Sequence, residues 1–166
     1  MSVSVLLALG LTVTEVLETG IPFASPTTNN KEVVHNGLNT TATLGAATTP
    51  PAAKVAGFLL DLVAGAATID LRALSATNGT ILDGNGLKVQ AVKFRNKSTN
   101  ANDITLAVGA ANGYELLGAG WTLTLKPGDE ALFYKKDTGP DIDATHKIID
   151  VTGTGTQVLE CLLVLG

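Results

Sequence analysis

Short apolar runs broken by Gly, Asn and Pro fill most of this chain, and within the runs apolar residues recur at every second position. Ile104, Leu106 and Val108 alternate with Thr105 and Ala107, and Trp121, Leu123 and Leu125 alternate with Thr122 and Thr124. A period of two puts each set on one face of a strand. Phe58, Leu60 and Leu62 share a face, as do Ile69 and Leu71, so residues 55–62 and 67–74 read as two strands joined as a hairpin through 63–66. Residues 86–96 form a longer candidate strand. Leu87, Val89 and Ala91 point one way, then Val92 and Phe94 take over from the opposite parity. Such a change of phase predicts a β-bulge, placed near Ala91-Val92. The final run, 157–165, is apolar on both parities, with Leu159, Cys161, Leu163 and Leu165 on one and Val158, Leu162 and Val164 on the other. It reads as a strand buried on both faces, in a sheet centre or beneath a partner subunit.

Turn signatures separate these runs. Asn36-Gly37 predicts a tight hairpin between 32–35 and 40–44, because both residues tolerate positive φ. Lys126-Pro127-Gly128-Asp129 has the Pro and Gly placement of a type II turn, which predicts a hairpin from 121–125 into the returning strand 131–134. Gly153-Thr154-Gly155 reads as a hairpin between the last two strands, since no Lys follows to make it a phosphate loop. The count is eight to ten strands with no convincing helix, apart from an ambiguous first twenty residues. The predicted fold is all-β: a two-sheet β-sandwich of jelly-roll or Greek-key type. Residues 1–20 form an apolar strand or arm, and 21–166 a single sandwich domain.

The N-terminal run SVSVLLALGLTVT resembles a signal segment but has no Lys or Arg ahead of it, and Glu15 and Glu18 follow. It lacks the basic start of an export signal and is too short to cross a membrane. Three readings stay open: a strand, a short helix, or an arm packed on a neighbouring subunit.

Composition narrows the chemistry. Only 16% of the 166 residues are charged, mean hydropathy is +0.30, and there are two histidines, one cysteine and one methionine. A formal net charge of -4 argues against a nucleic-acid binder. Lys88, Lys93, Arg95 and Lys97 fall close together, the last three on one strand face. They read as a solvated face, or as a contact with an acidic protein neighbour. Cys161 has no sequence neighbour that would activate it and reads as a small core residue. His35 and His146 lie in no spaced ligand motif, and one cysteine cannot build a zinc site. Asp137, Asp141 and Asp143, with Asp150, and separately Asp83 and Asn85, offer oxygens for calcium, although neither group has EF-hand spacing. Glu115, Glu130 and Glu160 are the carboxylates from which a glycosidase pair could be drawn. With 4% aromatic residues the chain lacks the platforms that sugar sites use. No G-x-S-x-G occurs. Asn39, Asn78 and Asn96 head N-x-S/T triplets, which matter only in a secreted protein. The expectation is no catalytic residue, no cofactor and no metal.

The stretch KFRNKSTNANDITLAV from Lys93 to Val108, followed by Trp121 to Tyr134 with its Pro127-Gly128 turn, resembles the small β-sandwich structural proteins of tailed phages and related virus particles. The resemblance implies a virion component (capsid, decoration, or neck or tail part) made in the host cytoplasm. It implies a homo-oligomer that also contacts other virion proteins, with no nucleic acid and no membrane as partner. Independently of it, high hydropathy with few charges points to surface buried against other chains. The expected contact residues, in the interface or directly beneath it, are Val3, Val5, Leu7, Trp121, Leu163 and Leu165. Two other classes stay open: a secreted adhesin or pilus-type subunit, and a small ligand-binding β-sandwich module.

Overall fold

The computed structural model describes residues 3–18, 30–49, 51–76, 78–136 and 138–166. Those residues contain no helix; they form β-strands joined by turns. The chain divides into two compact units, Val5–Thr43 and a larger one made of Met1–Ser4 with Leu44–Gly166.

The smaller unit is built from β1 (Ser4–Leu9), β2 (Val13–Glu18), β3 (Asn30–His35) and β4 (Thr40–Gly45). β1 pairs with β4 and β2 with β3, so one leg of a two-stranded ribbon runs out and the other returns. The β2–β3 ladder is antiparallel, from Val13 opposite His35 to Glu18 opposite Asn30. Asn39 stitches the legs between the two ladders: its Oδ1 accepts from the Leu11 N–H at 2.7 Å and its Nδ2 donates to Thr12 Oγ1 at 2.8 Å. The hairpin expected at Asn36-Gly37 is therefore not formed. The Asn39 N–H does donate to the Asn36 carbonyl at 3.0 Å, but the strands on either side pair with the opposite leg rather than with each other.

Among its described residues the larger unit holds ten strands: β5 (Lys54–Asp61), β6 (Ala66–Asp70), β7 (Leu74–Ser75), β8 (Ile81–Leu82), β9 (Val89–Asn96), β10 (Ile104–Val108), β11 (Thr122–Leu125), β12 (Glu130–Tyr134), β13 (Ile148–Thr152) and β14 (Val158–Leu165). Eight of them form two four-stranded antiparallel sheets, ordered β12-β9-β14-β5 and β11-β10-β13-β6. β7 and β8 make a separate short pair. Both large sheets turn one face to a single apolar cluster, which includes Phe94, Leu159 and Leu163 from the first and Ile69, Leu106 and Ile149 from the second. The alternation read from the sequence holds here: Ile104, Leu106, Leu125, Leu159, Leu163 and Leu165 are all buried.

Three expected hairpins are corrected. β5 and β6 lie in different sheets, and so do β11 and β12, and β13 and β14. The turns themselves form. Ala64 and Gly65 both have positive φ, 51° and 80°, and the Ala66 N–H donates to the Val63 carbonyl at 3.1 Å, as in a type I′ turn. At Lys126-Pro127-Gly128-Asp129 the Asp129 N–H donates to the Lys126 carbonyl at 2.9 Å, and Gly128 has φ of 87°, as a type II turn requires. A turn signature fixes chain reversal. Which strands then pair is decided by which faces must be buried.

The bulge in β9 sits one residue before its expected place. Ala91 pairs with Val164 but Leu165 pairs with Val89, so Gln90 is the extra residue. Its insertion lets Val89, Val92 and Phe94 all reach the core cluster.

Two polar clamps hold the loops at the sheet ends. Buried Asn96 donates through Nδ2 to the Leu125 carbonyl at 2.8 Å and to the Asn102 carbonyl at 3.1 Å, while its Oδ1 accepts from Asn100 Nδ2 at 2.6 Å. Asn100 in turn donates to the Val158 carbonyl and accepts from the Val158 N–H, tying the Asn-rich loop to β14. The second clamp is Tyr114, fully buried. Its hydroxyl accepts from the Val89 N–H at 3.1 Å and donates to the Pro140 carbonyl at 3.0 Å, and the Trp121 indole N–H donates to its backbone carbonyl at 2.9 Å.

Burial pushes the Tyr114 hydroxyl up to about 12, because the phenolate cannot be solvated there. Its contribution to stability is complete below the unfolded value of about 10 and is lost as pH rises toward 12, since only the unfolded chain releases its proton in that window. Tyr114→Phe should cost about 1–3 kcal/mol at neutral pH by stranding the Val89 and Pro140 backbone groups. It should also flatten the fall in stability between about pH 10 and 12. Urea denaturation of both proteins across that range checks this; identical alkaline slopes would contradict it.

Candidate functional site

The outer faces of the two large sheets differ. Along β11-β10-β13-β6 the outward positions are Thr122, Thr124, Thr105, Thr152 and Thr68 with Ala66, Ala107, Ile148, Asp70 and Asp150. Thr105 and Thr124 face each other at 2.9 Å between hydroxyls. This is a polar face of short side chains.

The outer face of β12-β9-β14-β5 is mixed. β9 sends Lys93 and Arg95 outward, as the alternation predicted. Cross-strand partners neutralise them: Arg95 stands opposite Glu130 on one side and Glu160 on the other. Lys93 Nζ lies 2.8 Å from Glu130, and Arg95 is hydrogen-bonded to Glu160. Leu59, Leu132 and Leu162 flank these pairs, and Leu59 and Leu162 are exposed. Between them lies an open depression of about 470 Å³ lined by Gly57, Leu59, Lys93, Arg95, Glu160 and Leu162, with Phe58 and Cys161 at its floor. The acidic neighbours of the basic strand are thus its own flanking strands.

Those contacts set the chemistry of the carboxylates. The hydrogen bond from Lys93 holds Glu130 below its ordinary value, and the hydrogen bond from Arg95 does the same for Glu160 and raises Arg95 itself. A glycosidase acid needs the opposite, a carboxyl held protonated at neutral pH. Glu115 lies outside this group, in the loop between β10 and β11.

Asp137 lies outside the described residues. Asp141 stands 3.7 Å from Lys88 Nζ. Asp143 closes a local turn, with Oδ1 accepting from the N–H groups of Thr145 and His146 at 2.6 and 2.7 Å and from Thr145 Oγ1 at 2.8 Å. These bonds, with the nearby His146 ring, hold its carboxyl far below the usual range. Asp150 accepts from the Ala110 N–H at 2.8 Å, and Asp83 from the Asn85 N–H at 2.9 Å. Asp143 and Asp83 thus serve their own turns, Asp150 ties β13 to the β10–β11 loop, and Asp141 faces Lys88. His35 sits 3.3 Å from Glu15, and His146 3.2 Å from Asp143. Among the described residues no group of three His, Cys, Asp or Glu stands together as metal ligands do.

The expected contact residues fall into two sets. Trp121, Leu163 and Leu165 belong to the core cluster, so they support the sheets from within. Val5 is half-buried and Leu7 buried on β1, and half-buried Val3 precedes that strand. Sequence reasoning missed the clamps: nothing in the sequence marks Asn96 or Tyr114 as a buried clamp, although the Asn-rich run 96–102 was visible. Burial also removes Asn96 from consideration as a glycan acceptor.

No helix among the described residues is long and apolar enough to cross a membrane. In comparisons with known proteins, no family model matches the chain, and neither does any curated protein or solved structure.

Cys161 is 5% exposed, and burial pushes its thiol well above the ordinary range, with Glu160 adding to the effect. A thiol reagent at neutral pH should therefore label the native protein only as fast as the sheet opens, and label at once in denaturant. Immediate labelling of native protein would show that the depression reaches the sulfur.

Proposed function

We propose that this chain is a structural subunit of a virus or phage particle, built on an eight-stranded jelly roll and working through homo-oligomeric assembly and contacts with other virion proteins. Its working place is then the virion, after synthesis in the host cytoplasm. The strand pairing supports the jelly roll. Numbered within the two sheets, the first strand (β5) pairs with the eighth (β14), the second (β6) with the seventh (β13), the third (β9) with the sixth (β12) and the fourth (β10) with the fifth (β11). One long antiparallel hairpin wrapped into two sheets has this nesting. The topology recurs in viral capsid, lectin and cupin domains. Of these, the capsid subunit best fits a chain with few charges, few aromatic residues and titratable groups engaged in its own turns and strand pairs.

The observation that carries the assembly reading is the ribbon Val5–Thr43. Leu6, Leu11, Val13, Val34 and Leu38 are exposed there, Leu38 at 94%, and among its described side chains only Leu7 is buried. A two-stranded ribbon is marginal alone in water. Apolar side chains displayed along one gain about 1.5–3 kcal/mol each when another surface covers them.

Residues 5–43 can be excised and replaced by a short Gly-Ser linker, because Val3 and Gly45 already lie side by side. The shortened chain should keep its β circular dichroism and cooperative melting but drop to a lower oligomeric state in light scattering. An unchanged oligomer after excision, or a full-length chain that is monomeric at every concentration, would sink the reading.

A further inference from the structure

Asparagine is followed by glycine at Asn36-Gly37, Asn78-Gly79, Asn85-Gly86 and Asn112-Gly113. Such a pair can react with itself. The glycine amide nitrogen, once deprotonated, attacks the side-chain carbonyl carbon of the asparagine, and glycine has no side chain to obstruct the approach. The reaction needs two freedoms. The glycine N–H must not be held by an acceptor, and the asparagine must be able to turn its side chain back over that nitrogen.

Three of the pairs lack at least one of these. The Gly79 N–H donates to the Ala76 carbonyl at 2.8 Å, and Asn78 Oδ1 accepts from the Thr80 N–H at 3.2 Å and from Thr80 Oγ1 at 2.8 Å. The Gly86 N–H donates to the Ile142 carbonyl at 2.8 Å. Asn112 is held in the left-handed region, with φ of 53°, and its carbonyl accepts from the Lys147 and Ile148 N–H groups at 2.8 and 2.9 Å. Gly113 beside it packs against the Gly109 carbonyl and the Val108 side chain. Asn36-Gly37 has both freedoms. The two residues are exposed, and the Asn36 carbonyl accepts from the Asn39 N–H at 3.0 Å, which puts Gly37 at the second position of a turn, where the N–H is left unused. Among the described residues neither the Gly37 N–H nor the Asn36 side chain has a hydrogen-bond partner, and nothing lies within 4 Å of where a Cβ on Gly37 would stand.

We propose that Asn36 is a site of spontaneous deamidation in the native protein, with Gly37 as nucleophile and water as the only co-reactant. The Gly37 nitrogen bonds to Asn36 Cγ. The Cγ–Nδ2 bond breaks, and ammonia leaves with the proton that the Gly37 amide lost. Water then opens the cyclic imide at either carbonyl, giving aspartate or isoaspartate. Isoaspartate routes the main chain through Cβ and turns the carbonyl that held the Asn39 N–H into a free carboxylate. Asn39 joins the ribbon legs at Leu11 and Thr12, so conversion to isoaspartate loosens the ribbon at that point. The inference does not depend on the assembly reading.

The test incubates the full chain in warm neutral buffer, native and in denaturant, and follows all four asparagines by peptide mass mapping, with isoaspartate labelled by an isoaspartyl methyltransferase. In the native protein Asn36 should convert at least about tenfold faster than Asn78, Asn85 or Asn112, and in denaturant the four rates should converge, because only the fold separates them. Gly37→Ala should slow conversion at Asn36 several-fold with β circular dichroism unchanged, since the added methyl meets nothing but the approaching side chain. In the converted protein the Leu11 amide should exchange faster than in fresh protein. If Gly37→Ala misfolds, the ranking within the wild type still decides. Native Asn36 converting no faster than the other three overturns the proposal, and an unchanged Leu11 amide in isoaspartate-bearing protein overturns its link to the ribbon.

Discussion

The larger unit depends on one strand buried where the chain closes. β14 lies between β5 and β9, pairs with both over most of its length, and sends Leu159, Cys161, Leu163 and Leu165 into the core. Each buried leucine contributes about 1.5–3 kcal/mol, so this strand alone supplies a large part of the stability a domain of this size has to spare. Its first residue is also held by Asn100, which ties it through Asn96 to the end of β11 in the other sheet. With β14 in place, the nested pairs inside it have both a partner and a floor. The pairing joins residues far apart in the chain, since β5 and β14 are the first and last strands of the two sheets. The core therefore forms only once β14 has joined β5, a topology expected to fold slowly.

What was legible in the sequence follows from this arrangement. Residues that alternate on one face, such as Ile104, Leu106 and Leu125, announced both their strands and their burial. The double-faced apolarity of β14 announced a central strand, and the phase change in β9 announced a bulge within a residue of Gln90. Pairing was not legible. Asn36-Gly37, Ala64-Gly65 and Pro127-Gly128 all mark reversals, and each suggested a local hairpin. In the structure Ala64-Gly65 and Pro127-Gly128 carry the chain from one sheet to the other, and the strands flanking Asn36-Gly37 pair across the ribbon. Local turn chemistry is indifferent to that distinction, because burying two faces against one core is a property of the whole chain. The clamps were illegible for the same reason: Asn96 and Tyr114 act on carbonyls and amides that only the fold brings near.

The titratable groups that could have suggested catalysis are taken up by structure. Glu130 and Glu160 neutralise Lys93 and Arg95 across strands, and Asp143 holds its own turn. What the chain displays instead is exposed apolar side chains, along the ribbon, on Leu59 and on Leu162. Carboxylates paired within the chain, together with exposed apolar side chains, are the physical basis for proposing a particle subunit.

Native-state hydrogen exchange tests the central claim most directly. The amides of Val158–Leu165 that pair with β9 and β5 should be the slowest in the protein, opening only with global unfolding, with Val89–Asn96 close behind. Amides of the ribbon and of edge strands β6 and β11 should exchange through smaller openings. If β14 exchanged as fast as those edges while β10 and β13 stayed protected, the last strand would not be what the other strands depend on, and the nested account of the fold would be wrong.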